Sequence, residues 1–307
     1  MCVFIFNPHA GKGKIKKRLP LIVDRLKERF GDVTVREAIQ KGDIGKFAKE
    51  ACGTYDYLIF AGGDGTFYEV INGIANEDIR PILGYIPMGT VCDIAANFGI
   101  SKKVKKALDI IDRTIIQEAD IVDINNGEAY AAYSVTGGAL VSLSYATTQK
   151  SKRRWGKLAY YIGAVNFLEQ GRLFDIECVE PPIDGLSLLM ALKSRRAAGF
   201  GINREFVPDD GKMQVIAVKS RGKTRLSRYL RLQFTLARLF LSRRRGDFEN
   251  RNITRISVSH AVISSKIFNW GIDGEKYSAG RLELTVLNKH IRLIIGKKKW
   301  RAAEDTD

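Results

Sequence analysis

One five-residue run, Gly62-Gly63-Asp64-Gly65-Thr66, constrains this chain more than any other feature. It follows an apolar stretch at 57–61 (YLIFA) and opens the helix-compatible stretch FYEVIN at 67–72. A strand that passes through glycines into a helix is a phosphate-binding layout: glycine lets the backbone come close to a polyphosphate, and the helix start offers free N–H groups and the positive end of its dipole. Asp64 is out of place in such a pocket. A carboxylate beside phosphates is repelled unless a divalent cation bridges the two or the carboxylate takes a proton from a nucleophile. The loop therefore points to phosphoryl transfer.

The same rhythm recurs through the first third of the chain. Apolar runs at 2–6, 57–61 and 82–86 each lead into a glycine-containing turn and an amphipathic segment, the pattern of βα units and a parallel sheet. Behind the loop NPHAGKGK at 7–14, Ile15, Leu19, Ile22, Leu26 and Phe30 recur at helical spacing. Pro87-Met88-Gly89-Thr90-Val91-Cys92-Asp93 is a third strand-to-helix turn, and a parallel sheet would gather all three loops at the carboxyl ends of its strands. KKVKKALDIIDR at 102–113 reads as a last surface helix, after which the texture becomes β. A hairpin is expected from 121–125 and 129–135 around Asn126-Gly127, with strands at 174–179, 186–192, 213–218, 254–258, 261–268, 282–287 and 291–295. Two helices, at 157–170 and 226–241, interrupt them. The expected fold class is α/β plus β: a Rossmann-like parallel-sheet nucleotide-binding domain over 1–120, then a β-sandwich domain over 121–290. The strand and tail at 291–307 are expected to return to the first domain.

Charge limits the partners. The 307 residues carry 50 Lys+Arg against 34 Asp+Glu, a formal net charge of +16, which favours an anionic partner such as a nucleotide, a nucleic acid or an acidic membrane. Cys2, Cys52, Cys92 and Cys178 have neither metal-ligand spacing nor the density of a disulfide framework, so free thiols and a cytoplasmic setting are expected. No apolar run is long enough to span a bilayer, and no basic leader precedes the first strand, so membrane contact is expected to be peripheral. His9, His260 and His290 lie far apart and suggest no metal cluster or triad.

NPxxGxG, then GGDGTxxEVxNGI, then PMGTxxD, in this order and spacing, resemble the diacylglycerol kinase catalytic domain family, which includes bacterial soluble lipid kinases and sphingosine kinases. The likeness extends more loosely through Gly156 to Tyr160, Asp210-Gly211 and Asp273-Gly274-Glu275. It implies an α/β nucleotide-binding domain and a β-sandwich, with ATP and Mg²⁺ in the cleft between them and a membrane lipid hydroxyl, diacylglycerol first, as acceptor. Position by position, it implies that Gly62, Gly63, Gly65 and Thr66 cradle the ATP phosphates while Asn7 and Thr90 help fix the nucleotide. Asp64 and Asp93 would hold Mg²⁺, and Glu275 would take the proton of the lipid hydroxyl. Lys12 and Lys157 would neutralise phosphate charge, and Asp210 suggests a structural Mg²⁺ site. Glu69 either meets the nucleotide ribose or faces solvent. The residues alone leave Asp273-Gly274-Glu275 open as a plain β-turn. Cys92 stands where the family often has Asn, and the 199–208 segment departs from the family's proline-containing stretch.

Residues 221–251 hold ten Lys/Arg against Asp247 and Glu249. Leu226, Leu230, Phe234, Ala237 and Leu241 form an apolar stripe at helical spacing, with Arg228, Arg231 and Arg238 off that line. This is the pattern of a basic interfacial helix, or equally of a helix packed on the β domain with a solvated basic face. Arg153, Arg154 and Trp155, in KSKRRW, form a second candidate patch for an anionic membrane surface. A homodimer is compatible with the sequence. Three rival readings remain: an NAD kinase, which shares a GGDGT element but lacks the third motif; a nonenzymatic binder of nucleotide or membrane; and, last, a nucleic-acid binder, for which no recognition motif is present.

Overall fold

The computed structural model describes residues 1–11, 13–138, 174–176, 183–197, 199–219, 227, 230–232, 234–235, 252–265 and 269–296. Lys12, Arg153, Arg154, Trp155, Lys157, Arg228 and the helix expected over 157–170 lie outside the described residues. The first half runs β1 (Cys2–Phe6), α1 (Lys14–Phe30), β2 (Val33–Glu37), α2 (Asp43–Ala51), β3 (Tyr57–Gly62), α3 (Asp64–Ile74), β4 (Ile82–Pro87), α4 (Asp93–Asn97) and α5 (Val104–Arg113). Strands β4, β3, β1 and β2 lie side by side, all parallel.

Helices on both faces explain why the strands are apolar at every position and do not alternate. Val3, Ile5, Leu58 and Phe60 pack towards α2 and α3, whereas Phe4, Phe6, Ile59 and Ile86 pack towards α1 and α5. Phe60, Phe67 and Tyr85 meet with ring centroids 5.1–5.4 Å apart, fixing the start of α3 against the ends of β3 and β4. The apolar-run reading passed over β2 and α2. Strand β2 is an edge strand with no buried residue, so its sequence VTVRE carries little hydrophobic signal.

Antiparallel strands follow: β5 (Ile116–Ile124), β6 (Ala129–Ala131), β7 (Ser134–Gly138), β8 (Phe174–Ile176), β9 (Ile183–Leu192), the short hairpin β10 (Arg196–Ala197) and β11 (Phe200–Gly201), β12 (Met213–Lys219), β13 (Ile253–Val258), β14 (His260–Ser265), β15 (Asn269–Ile272), β16 (Glu275–Ser278) and β17 (Arg281–Ile294). They build a separate antiparallel β domain whose core includes Val135, Leu189, Val215, Ile263, Trp270 and Leu284. β17 belongs to both halves. It pairs antiparallel with β14 and along β5, and its end runs parallel to β4 at Leu293–Leu83.

Two expected element boundaries are corrected. The run expected as one strand over 129–135 is two, β6 and β7, because the N–H groups of Ala132, Tyr133 and Ser134 are taken by the Asp273 carboxylate and not by a neighbouring strand. The runs at 282–287 and 291–295 belong to one strand, β17, with a register shift between Leu287 and Ile291. At this irregularity Lys289 takes a left-handed backbone (φ 52°), and its N–H and the Asn288 side-chain amide both donate to Asp120.

Candidate active site

The three loops foreseen at the strand ends do converge, through close backbone contact. A methyl on Gly62 would fall 2.2 Å from Thr66 Oγ1, and one on Gly89 would fall 2.7 Å from the Cα of Gly63. A side chain at Gly89 would push the second and third loops apart, and one at Gly62 would displace Thr66 within the second loop. Hydrogen bonds close the contact: Met88 N–H and the Tyr85 hydroxyl both donate to Gly62 O, at 2.8 and 3.1 Å. The first loop reaches the third at Met88, whose Cε lies 3.1 Å from the place of a Cβ on Gly11. Asn7 Oδ1 accepts the N–H of His9 at 2.9 Å, so this side chain shapes its own loop.

Asp64, the first residue of α3, accepts the N–H of Cys92 on Oδ2 at 2.8 Å. Its Oδ1 is buried and has no hydrogen-bond partner. Burial, reinforced by the nearby negative Asp93, pushes the Asp64 carboxyl up to about 6. Asp93 is also raised by burial, though its two oxygens accept the Gly199 N–H (3.1 and 2.9 Å) and one faces Arg196 Nε at 3.6 Å. Cys92, between them in sequence, is fully buried with a left-handed backbone (φ 53°), a conformation in which asparagine is more at ease than cysteine. Burial raises its thiol, so it is no ready nucleophile.

The β domain supplies the opposite wall. β15 and β16 are joined by a turn at Asp273-Gly274, and the Glu275 that follows projects over the glycine loop: Oε1 lies 3.3 Å from the place of a Cβ on Gly65. Asp273 has a different task from Glu275. It is 3% exposed, takes a left-handed backbone (φ 50°), and accepts three backbone N–H groups from 132–134. Burial pushes it up to about 7 against the pull of those three donors. These three bonds hold the turn that carries Glu275, two residues on. Asp273→Ala strands three buried N–H groups, and unfolding in urea should show a loss of roughly 3 kcal/mol or more.

Not every candidate reaches the cleft floor. Glu69 accepts the N–H of Gly42 at 3.3 Å, so it bonds the turn before α2, and burial raises it. Thr90 is exposed, and its carbonyl accepts Lys102 Nζ at 2.8 Å. Asp210 is not gathered with Asp64 and Asp93; it pairs with Lys193. Among the described residues no three His, Cys, Asp or Glu side chains converge as a metal cage. Sequence reasoning missed Lys102, Arg196 and Gly199. Lys102 sits in a run that reads as surface helix, and Arg196 belongs to a hairpin of two-residue strands with no periodic signal.

Glycine loops gathered at the carboxyl ends of parallel strands, beside a helix start and facing acids from a second domain, define a nucleotide-dependent phosphoryl-transfer protein. Comparisons with known proteins narrow the class. Residues 1–124 match the diacylglycerol kinase catalytic domain. The chain is 36% identical over 239 residues to a diacylglycerol kinase of Staphylococcus saprophyticus, covering 74% of this chain and 76% of that one. It is 28% identical over 314 residues to a diacylglycerol kinase of Bacillus subtilis, covering 98% of each. A crystal structure of a diacylglycerol kinase from Bacillus anthracis superposes with a TM-score of 0.79 over 96% of each chain, at 22% identity, which speaks to the fold. The chain belongs to the diacylglycerol kinase family, and its enzyme class is that of an ATP-dependent lipid kinase.

Proposed function

We propose that this chain transfers the γ-phosphoryl group of ATP to the free hydroxyl of diacylglycerol, giving phosphatidic acid, at an anionic membrane surface on the cytoplasmic side. The observation that carries the proposal is the pairing of Asp64, with its unpartnered buried oxygen, and Glu275 across one glycine loop. In this reading residues 1–120 bind nucleotide, 121–290 carry the acceptor wall, and the last segment ties the two together.

An orphaned carboxylate oxygen beside a second carboxylate fits a hard divalent cation, so Asp64 and Asp93 are the residues that would hold Mg²⁺. When bound, that ion would neutralise charge on the phosphoryl group being transferred. The chain's own residues do the rest. Gly62, Gly63, Gly65 and Thr66 present the helix start to the phosphates, and Lys102 and Arg196 bring positive charge to the Asp64–Asp93 side of the cleft. Glu275 accepts the proton of the lipid hydroxyl, an alcohol too weakly acidic to attack well without a base.

Asp64 gives this reading a pH dependence. Its carboxyl is pushed up to about 6 from an ordinary value of 3.8, so the neutral form is the one the empty fold favours. That contribution, about 3 kcal/mol, is present below pH 4 and lost as pH rises through 6. Binding of a cation needs the ionised form, so the Kd for ATP with Mg²⁺ should fall about fivefold between pH 5 and pH 6, about tenfold by pH 7, and level off above. Titration calorimetry across that range measures it.

Around residue 230 the helical face supports the membrane part. Leu232 and Thr235 are buried, while Leu230 and Phe234, on the stripe expected to meet lipid, are 57% and 64% exposed beside the exposed Arg231. Among the described residues no helix is long and apolar enough to cross a membrane, so contact through helices is by a face. Each exposed apolar side chain that enters a bilayer contributes about 2 kcal/mol, and each basic residue near an anionic surface about 1 kcal/mol. Replacing Leu230 and Phe234 together with Glu should weaken co-sedimentation with anionic vesicles about a hundredfold or more, with activity on a water-soluble short-chain diacylglycerol kept.

Labelled ATP with Mg²⁺, offered a panel of lipids in anionic mixed micelles beside NAD, tests the whole. Label in phosphatidic acid is the expected result. Label in NAD alone, or nucleotide binding without transfer to any lipid, overturns it.

A further inference from the structure

A buried ammonium fills the place where the family resemblance suggests a structural metal. Lys193 follows β9, and its side chain is 2% exposed. Its Nζ lies 2.7 Å from Asp120 Oδ2 and donates to Asp210 Oδ1 at 2.5 Å, Lys212 O at 2.8 Å and Val207 O at 3.0 Å. Two carboxylates and two carbonyls are the hard oxygen set that a divalent cation takes. Here they surround one ammonium, which brings three donors and a single charge.

Three of the four carboxylate oxygens also accept other donors. Asp120, whose side chain is fully buried, accepts the Gly211 N–H on Oδ2 (2.7 Å), and the Lys289 N–H (2.7 Å) and Asn288 Nδ2 (3.0 Å) on Oδ1. Asp210 Oδ1 accepts the Lys212 N–H at 3.0 Å. A divalent ion could enter only by displacing Lys193, and a buried lysine without its carboxylates would be far more costly than the present arrangement.

We propose that Lys193 is the resident cation of this oxygen cage and that the β domain of this chain carries no divalent ion at Asp210. The ammonium ties β5, the 207–212 loop and the irregularity in β17 into one node. Beside it the backbone is anchored too: Lys193 N–H and Ser194 Oγ both donate to Tyr133 O, and three residues beyond Arg196 comes Gly199, whose N–H donates to Asp93. This inference is independent of the phosphoryl-transfer reading, and its test uses neither nucleotide nor lipid.

The test is Mn²⁺ binding, followed by electron paramagnetic resonance on the full chain stripped with EDTA. Asp64→Asn serves as background so that the cleft carboxylate pair does not contribute. With Lys193 present, no tight Mn²⁺ should bind, and Tm should be the same in EDTA and in millimolar Mg²⁺. Lys193→Ala in that background should lower Tm in EDTA by roughly 10 °C, recover part of it in Mg²⁺, and gain one Mn²⁺ per chain. The proposal is overturned if the Lys193-containing protein binds one Mn²⁺ that Asp210→Asn abolishes, or if a folded Lys193→Ala variant gains none. Should Lys193→Ala fail to fold, the first comparison decides by itself.

Discussion

Asp64→Asn should abolish phosphoryl transfer, lowering kcat by roughly a thousandfold or more, while far-ultraviolet circular dichroism stays near that of the parent protein and Tm does not fall. The reasoning is local. Asn keeps the oxygen that accepts the Cys92 N–H, so the contact between the second and third loops survives. What it loses is the charge of a carboxylate whose other oxygen is buried without a partner. Because the ionised Asp64 is destabilised by burial and by Asp93, neutralising it should leave the empty fold more stable above pH 6, by up to about 3 kcal/mol. Loss of activity together with loss of fold would mean that Asp64 serves the loop and not the chemistry. Retained transfer would remove it from the mechanism.

Glu275→Gln should cut kcat by about a hundred- to ten-thousandfold with the KM for ATP nearly unchanged, as expected when a general base is lost and nucleotide binding is not. The substitution is isosteric, and the turn that carries Glu275 is held by Asp273, so the side chain should stay over Gly65. Steady-state kinetics distinguishes the roles: a fall in kcat with the KM for ATP kept places Glu275 at the acceptor hydroxyl and not at the nucleotide. A Gln variant with normal kcat would assign proton removal elsewhere in the cleft.

Much of the nucleotide half was legible because its signals are local. A strand buried on both faces must be apolar throughout, and a turn that brings two backbones into contact must use glycine, so β1, β3 and β4 and the Gly62 and Gly89 turns can be read from a few consecutive residues. Where burial was slight the signal vanished, as in β2. The wall that faces the glycine loops was legible only in part. Glu275 came from the resemblance, not from its own spacing, and its neighbour Asp273 looks like an ordinary turn residue until its carboxylate is seen taking three N–H groups from residues 139–141 positions away. Arg196 and Gly199 were passed over for the same reason: each acts on Asp93 across a long loop closure, and neither periodicity nor composition records such a partner.

The sequence by itself determined the parallel-sheet half, the three glycine turns at its strand ends, and the presence of carboxylates in and near them. Each rests on steric or solvation rules that operate within a few residues. Only the tertiary structure decided which acids share a cleft and which do not. Asp64 and Glu275 meet across one glycine loop, whereas Asp210 is drawn away to Lys193. The physical reason is that a buried charge is defined by what surrounds it. The same residue type keeps a buried oxygen without a partner in Asp64, becomes a backbone clamp where three N–H groups converge, and is half of an ion pair where an ammonium lies 2.7 Å from a neighbouring carboxylate.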